Sequence, residues 1–188
     1  DFKDGDLALR GNFATLNDDG VIIDRRAGRN IEKQDAESVS NEIENKIKFS
    51  DENATVIITP TIGHRLVIRI RSDFPLSSNI TNTDPAYVRV AGMGIAKAVT
   101  DFLRIENCLP LDEGPHTKLT SKLVNELTEQ SLDIMKKSQV NVSRKENGKK
   151  LLNGVLLRDA GNLYPNVTPI NDLHLMKFSC IVDMPVEI

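Results

Sequence analysis

The stretch DLALRGNFATLNDDGVIIDRRAGR, residues 6–29, decides how the chain begins to fold. Apolar and polar side chains partly alternate over residues 6–16, the turn-forming DDG occupies residues 18–20, and the stretch VIID (21–24) is again mostly apolar. This pattern predicts a β-hairpin. The basic segment DRRAGR (24–29) then follows directly after a strand, where a rigid element can aim side chains that stay in solvent.

The segment DRRAGR concentrates Arg25, Arg26 and Arg29 within a few positions. A guanidinium group is planar and permanently charged, and its donor fork fits phosphate or carboxylate in a bidentate way. The segment therefore predicts a site for a small polyanion. The alternative is that Arg25 and Arg26 pair with surface acids such as Asp24 and Glu32.

Length and composition fit one globular domain. The chain has 188 residues, of which 39% are hydrophobic and 27% charged, with a net charge of −3. This charge gives no basic field for nucleic acid, and six Phe, two Tyr and no Trp are too few for a base-stacking platform. We therefore expect neither a nucleic-acid partner nor, without an apolar run of about 18–20 residues, a membrane.

The two cysteines, Cys108 and Cys180, are far apart in sequence and form no C-x-x-C motif. This usage fits a reducing compartment, so we expect a cytoplasmic protein.

Further along the chain, the patterns predict alternating strands and helices. An amphipathic helix is expected over 33–48, a strand pair over 54–60 and 65–72, a loop over 73–88 and a long helix over 117–139. The stretch GIAKAVTDFLRI (94–105) could form a short helix, and 136–150 is interpreted as turn-rich. Buried strands are expected over 151–158 and 176–184. The fold class is thus mixed α/β, a single domain with a mixed sheet of about six strands and about three helices.

Two further residues are candidates for polar chemistry. His64 stands beside Arg65 in the turn between two predicted strands and could contact a phosphate or carboxylate, or be merely structural. Asp84 lies between Thr83 and Pro85, where an aspartate also forms turns for backbone reasons alone. The histidines show no H-x-x-x-H spacing, so we expect no metal site built within this chain.

A family resemblance spans almost the whole chain. The stretch GDLALRGNFATLNDDGVIIDRRAGR (5–29) resembles a segment of the archaeal-type cofactor-independent phosphoglycerate mutases. The motifs GHR (63–65), TDP (83–85), VNVSRKENGKK (140–150) and NGVLLRDAG (153–161) are similar to later motifs of that family and follow in the same order.

The resemblance implies a function and a domain organisation. Members belong to the alkaline-phosphatase-like metalloenzymes and interconvert 3-phosphoglycerate and 2-phosphoglycerate in glycolysis and gluconeogenesis without bisphosphoglycerate. A catalytic domain carries a serine nucleophile and divalent ions of the Mn, Mg or Zn type, and an inserted domain binds the glycerate. Residues 1–188 resemble the inserted domain alone, so the catalytic domain of the same polypeptide is the expected partner and the fragment by itself is expected to be inactive.

The same resemblance implies roles for individual residues. Asp84 would be a general base that takes the hydroxyl proton, and His64 would donate to a phosphate or glycerate oxygen. The residues expected to bind the substrate are Arg25, Arg26, Arg29, Arg65, Arg158, Asn12 and Arg10.

The chain departs from the family pattern at three places. Ala86 follows Asp84-Pro85 where the family usually has His, Asp159 stands where many members have Gly, and the stretch 87–110 has no counterpart in the family pattern. Two alternatives therefore stay open: the inserted domain of a related phosphatase or phosphonate hydrolase, and an anion-binding module without catalytic activity.

Overall fold

The computed structural model of the chain describes residues 2–90, 93–97, 103–162, 168, 170–175 and 177. The strands are β1 (Leu7–Leu16), β2 (Ile22–Asp24), β3 (Thr55–Pro60), β4 (Arg65–Arg71), β5 (Tyr87–Val90), β6 (Met93–Ala96) and β7 (Gly154–Gly161). The helices are α1 (Lys33–Lys46), α2 (Pro115–Lys136), α3 (Gln139–Glu146) and α4 (Ile170–Leu173), and a single 3₁₀ turn covers Ala27–Arg29.

A five-stranded sheet built around β1 forms the centre of the fold. Strand β1 pairs with β4 through residues 7–12 and with β7 through residues 8–14, so it lies between them, while β3 pairs with the outer side of β4. Strand β2 returns from the DDG turn to pair with the end of β1. The two predicted strand pairs are confirmed. Each pairing between described strands is antiparallel, so the described sheet is antiparallel rather than mixed.

One face of this sheet supplies the hydrophobic core. Because side chains alternate along a strand, Leu7, Leu9 and Phe13 of β1 share a face with Leu66, Ile68 and Ile70 of β4, and all six are buried. Helix α1 contacts β3, helix α2 contacts β7, and the two helices contact each other above this face. Each buried Leu, Ile or Phe contributes about 1.5–3 kcal/mol relative to an exposed one. The opposite face carries Arg10 and Asn12 of β1 together with the exposed Val67 of β4.

Both predicted amphipathic helices are confirmed. Helix α1 buries Ala36, Val39 and Ile43. Helix α2 begins with Pro115 in its first turn, where the missing N–H costs nothing, and it buries Leu123 and Leu127. The mixed α/β class of the domain is therefore as expected.

Two local predictions are wrong. Residues 94–96, expected to open the short helix over 94–105, belong to β6, which pairs with β5 in a small separate sheet, and residues 98–102 of that prediction lie outside the described residues. The β-branched Val88, Val90 and Ile95 around Gly94 favour this hairpin. The stretch 136–150 contains helix α3, whose first turn is capped by the Ser138 hydroxyl, which accepts from the Val140 N–H at 3.3 Å.

The loop 73–86 has a defined course beside the sheet. The Thr83 N–H donates to the Leu157 carbonyl at 2.9 Å, and the Leu157 N–H donates to the Thr83 hydroxyl at the same distance, so the loop runs along the free edge of β7. The strand predicted over 176–184 lies outside the described residues. None of the described helices is long and apolar enough to span a membrane.

Candidate functional site

The face of the sheet that points away from the helices carries a group of arginines. Arg10 and Asn12 alternate with the core residues of β1, Arg158 of β7 lies directly opposite Arg10, and Arg65 of β4 lies directly opposite Asn12. Residues opposite each other on antiparallel strands have their Cβ atoms about 4.5–5.5 Å apart. Like charges at that spacing repel, and burial together with Arg158 and Arg65 lowers the pKa of Arg10. A face built this way favours an anion.

The loop DRRAGR has a fixed shape that the carboxylate of Asp24 imposes. Asp24 accepts hydrogen bonds from the backbone N–H groups of Arg26 at 2.8 Å and Gly28 at 3.0 Å. Ala27, Gly28 and Arg29 all have positive φ angles, of 43°, 78° and 57°. For residues other than glycine this conformation costs energy, so the contacts around the loop must hold it in place.

Arg144 of α3 supplies those contacts from beneath the loop. Its guanidinium donates to Asp35 of α1 at 2.8 Å and to the Asn30 side chain at 3.1 Å, and its Nε donates to the Lys150 carbonyl at 2.8 Å. The Ala27 carbonyl lies 3.5 Å from Nη2. Arg144 is 2% exposed, so it is a buried cation joined to the loop, α1 and the segment before β7. Arg144 lies in the basic stretch 136–150, and no sequence pattern there predicts its role beneath the loop.

Asp84 forms the buried centre of a second set of contacts. Its carboxylate oxygens both lie 2.6 Å from Nη2 of Arg25, and Oδ2 also accepts from Nη1 of Arg158 at 3.1 Å. The Ala86 N–H donates to Oδ1 at 3.1 Å, and the Asp84 side chain is fully buried. Two arginines distant in sequence are thus joined through one carboxylate.

These contacts identify the partners of the acids and arginines in and around DRRAGR, and Arg25 pairs with the buried Asp84. Asp24 binds the loop backbone, and Glu32 pairs with Lys149 at 2.5 Å, so neither acid is the partner of Arg25. Among the described residues, Arg26 makes no side-chain hydrogen bond or ion pair, and the same holds for Arg10, Arg29 and Arg65. The alternative pairing of Arg25 and Arg26 with Asp24 and Glu32 is therefore wrong.

His64 brings the GHR turn to the same region. Its carbonyl accepts from the Phe13 N–H at 2.8 Å, which fixes the turn against β1 just beyond Asn12. Burial, and repulsion from Arg65, Arg26 and Arg29, lower the pKa of His64 to about 4. The imidazole is therefore neutral at pH 7, with one nitrogen that can donate and one that can accept.

Two buried polar atoms in this region lack a partner. Asn12 is 6% exposed and its Oδ1 accepts no hydrogen bond from any described residue. The Nε of Arg25 is likewise buried and unpaired within the described part of the chain. Buried polar atoms without a hydrogen-bond partner are uncommon in folded proteins, and a bound ligand would supply the missing hydrogen bonds.

A cleft of about 650 Å³ opens on the same face of the sheet. Arg10 and Arg65 line it together with Asp159 and the exposed apolar side chains of Ile62 and Val67. The other predicted residues do not line this cleft. Arg25 and Arg158 turn to Asp84, while Arg26 and Arg29 lie close enough to His64 to depress its pKa.

Sequence reasoning missed Tyr87, the first residue of β5. The guanidinium carbon of Arg158 lies 4.0 Å from the centre of the Tyr87 ring, and that of Arg25 lies 5.4 Å from it. A single tyrosine after Pro85-Ala86 gives no pattern that would reveal this contact.

The departure at Asp159 has a backbone explanation. Asp159 has a φ of 57°, a conformation that glycine adopts freely and that aspartate tolerates better than most residues. Its carboxylate accepts from Nε of Arg158 at 3.2 Å while Asp84 accepts from Nη1, so the two carboxylates share that guanidinium. No group of three His, Cys, Asp or Glu side chains suited to a metal occurs among the residues the structure describes.

Known proteins match the chain over most of its length. The model of the family described as 2,3-bisphosphoglycerate-independent phosphoglycerate mutase matches residues 1–141. The protein of that name from Aeropyrum pernix is 35% identical over 100% of this chain, which covers 44% of its length. The one from Methanosphaera stadtmanae is 33% identical over 96% of this chain, which covers 40% of its length.

A solved structure agrees with these sequence matches. The cofactor-independent phosphoglycerate mutase from Thermoplasma acidophilum superposes with a TM-score of 0.69 at 30% identity, over 86% of this chain and 38% of that one. The chain spans less than half the length of the curated relatives given above. It belongs to the 2,3-bisphosphoglycerate-independent phosphoglycerate mutase family.

Proposed function

We propose that residues 1–188 are the inserted, substrate-binding domain of a phosphoglycerate mutase that interconverts 3-phosphoglycerate and 2-phosphoglycerate in the cytoplasm without bisphosphoglycerate. The observation that carries this proposal is the gathering of arginines from β1, β4, β7 and the DRRAGR loop. Arg10, Arg26, Arg29 and Arg65 make no side-chain hydrogen bond or ion pair among the described residues.

The chemistry of phosphoglycerate fits this arrangement of charges. Its phosphate carries about −1.5 to −2 charges at pH 7 and its carboxylate one more, on a three-carbon skeleton. Guanidinium groups bind both kinds of anion in a bidentate way, so the unpaired arginines suit its two charged ends. Asn12 Oδ1 can accept from the free hydroxyl of the glycerate, and neutral His64 can donate to a phosphate oxygen.

Asp84 acts in this proposal as a positioning residue. Its carboxylate already accepts from Arg25, Arg158 and the Ala86 N–H, and its side chain is fully buried. Acceptance of a substrate proton would require the arginines to move away first. The general-base role expected for Asp84 from the sequence is the competing hypothesis, and a substitution can separate the two.

The serine nucleophile and the divalent ions belong, in this proposal, to the part of the polypeptide outside residues 1–188. A bound metal would supply Lewis acid chemistry there, and no step assigned to this chain uses it. In the first transfer the phosphoryl group passes from one glycerate oxygen to the serine oxygen, which gives up its proton while the departing glycerate oxygen takes one up. In the return transfer the other glycerate hydroxyl gives up its proton and takes the phosphoryl group, and the serine hydroxyl is restored. Meanwhile the arginines hold the glycerate, and closure of the open sheet face against the catalytic domain keeps water from the phosphoserine.

Full-length protein tests the function directly. Incubated with 3-phosphoglycerate and without bisphosphoglycerate, it should form 2-phosphoglycerate with no net release of inorganic phosphate. Release of phosphate in place of the isomer would identify a phosphatase or phosphonate hydrolase, and binding without turnover would identify an anion-binding module. The isolated residues 1–188 should bind but not convert the substrate.

A further inference from the structure

The ring of Tyr87 lies against two of the arginines at once. The guanidinium carbon of Arg158 is 4.0 Å from the ring centre, a stacking distance, and that of Arg25 is 5.4 Å away. Both lie within the range of about 6 Å at which a cation is attracted to the negative face of an aromatic ring. Asp84 binds the same two guanidiniums through their nitrogen atoms.

The backbone holds the ring in this place. The Tyr87 N–H donates to the Asp84 carbonyl at 3.3 Å, and the Asn82 side-chain amide donates to the Tyr87 carbonyl at 3.2 Å. Thr83 and Asp84 are in turn bonded to β7 through the Leu157 carbonyl. The ring, the carboxylate and Arg158 therefore belong to one hydrogen-bonded unit.

Asp84 alone does not balance the positive charges of Arg25 and Arg158, so the Tyr87 ring has a separate structural role. Arg25 and Arg158 together carry two positive charges, while Asp84 carries one negative charge, and Arg10 adds further repulsion next to Arg158. Asp159 offers Arg158 a second acceptor at 3.2 Å, on a side chain that is 38% exposed. Without the ring, the guanidinium of Arg158 could follow Asp159 towards solvent. A stacked guanidinium keeps its plane, and with it the direction of its N–H groups.

We propose that Tyr87 is a positioning residue for phosphate binding, which fixes the planes of Arg158 and Arg25 through its aromatic face. The identification of the natural ligand as phosphoglycerate rests on the proposed function. The positioning role requires only that a phosphate or carboxylate anion binds beside these arginines.

The experiment compares Tyr87→Phe with Tyr87→Leu in the full-length protein. Phenylalanine keeps the ring face, whereas leucine keeps apolar volume without it. Titration calorimetry with inorganic phosphate and with 3-phosphoglycerate should show wild-type affinity for Y87F and affinity reduced roughly 3- to 30-fold for Y87L. Steady-state kinetics should show the same order in kcat/KM.

Controls separate positioning from stability. Val88→Ala alters the neighbouring residue of β5, which is 40% exposed, and should leave phosphate affinity unchanged even where it lowers the melting temperature. Should Y87L unfold, Tyr87→Val, a better strand former, repeats the comparison.

Each outcome has one meaning. The role of the ring face is overturned if Y87L binds phosphate with wild-type affinity, or if Y87F and Y87L lose affinity equally. It is also overturned if the wild-type protein binds neither phosphate nor 3-phosphoglycerate. Phosphate binding that depends on the ring in a protein without mutase turnover supports the inference and rejects the proposed function.

Discussion

Arg25 and Asp84 are 59 positions apart in the chain, yet both carboxylate oxygens of Asp84 lie 2.6 Å from the same guanidinium nitrogen. This contact ties the start of the DRRAGR segment to the loop beside β7. Arg158 joins the same carboxylate from the sheet itself. The proposed anion-binding region is therefore organised around a buried negative charge, which sets the direction of the Arg25 and Arg158 guanidiniums.

Replacement of Asp84 by asparagine separates the two hypotheses for this residue. Removal of the charge leaves Arg158, whose side chain is 8% exposed, with the partly exposed Asp159 as its remaining acidic partner, and takes from Arg25 the carboxylate it binds. We expect the free energy of unfolding to fall by about 3 kcal/mol, measured by urea denaturation, with phosphate affinity lowered as well. Asp73→Asn, at an exposed position, is the matched control. A large loss of kcat at wild-type stability and affinity would instead favour the general base.

Arginines with and without an internal partner should respond differently to alanine substitution. Arg26→Ala should lower kcat/KM by the equivalent of about 2 kcal/mol or more because it removes a charge-assisted contact to the glycerate. Its unfolding free energy should stay within about 0.5 kcal/mol of wild type. Arg25→Ala should lose activity and stability together, since it leaves Asp84 with fewer donors. Lys33→Ala is the surface control, and unchanged kinetics in Arg26→Ala would remove this residue from the site.

The depressed pKa of His64 predicts how stability depends on pH. Its pKa lies near 4 in the folded protein against an ordinary value of 6.5, so the unfolded chain takes up a proton first as the pH falls. The free energy of unfolding should therefore decrease from pH 6.5 towards pH 4, and this contribution is fully present only above pH 6.5.

Melting temperatures between pH 7 and pH 5 check this behaviour. His64→Gln should show a flatter pH dependence than wild type, and His116→Gln, at an exposed position, should not. Identical slopes for wild type and His64→Gln would mean that His64 is protonated normally and that the arginines lie farther from it.

Arg144 should control the shape of the DRRAGR loop. Arg144→Met removes the contacts to Asp35, Asn30 and the Lys150 carbonyl. We expect a loss of about 3 kcal/mol in the free energy of unfolding, because Asp35 loses its buried partner. Phosphate affinity should fall too, since Arg26 and Arg29 lose their support. Lys145→Met, on the exposed side of α3, should change neither quantity.

Local patterns in the sequence predicted the elements that local physics governs. Alternation over 6–16 with the DDG turn specified the first hairpin, and spacing of apolar residues specified α1 and α2. The same reasoning failed at 94–96, where a glycine and a few apolar residues fit either element. It also failed at 136–150, where the many charged residues gave no helical pattern although α3 forms there with Ser138 as its cap.

The sequence by itself determined which side chains are available for anion chemistry: the arginines of DRRAGR, the GHR turn and Arg158, together with a family pattern over most of the chain. Only the tertiary structure decided which of them are paired and which are free. Strand register sets Arg10 opposite Arg158, and the course of a loop brings Asp84 and Tyr87 to Arg25. Such contacts join residues far apart in sequence, so no local periodicity encodes them, and they exist only once the sheet has formed.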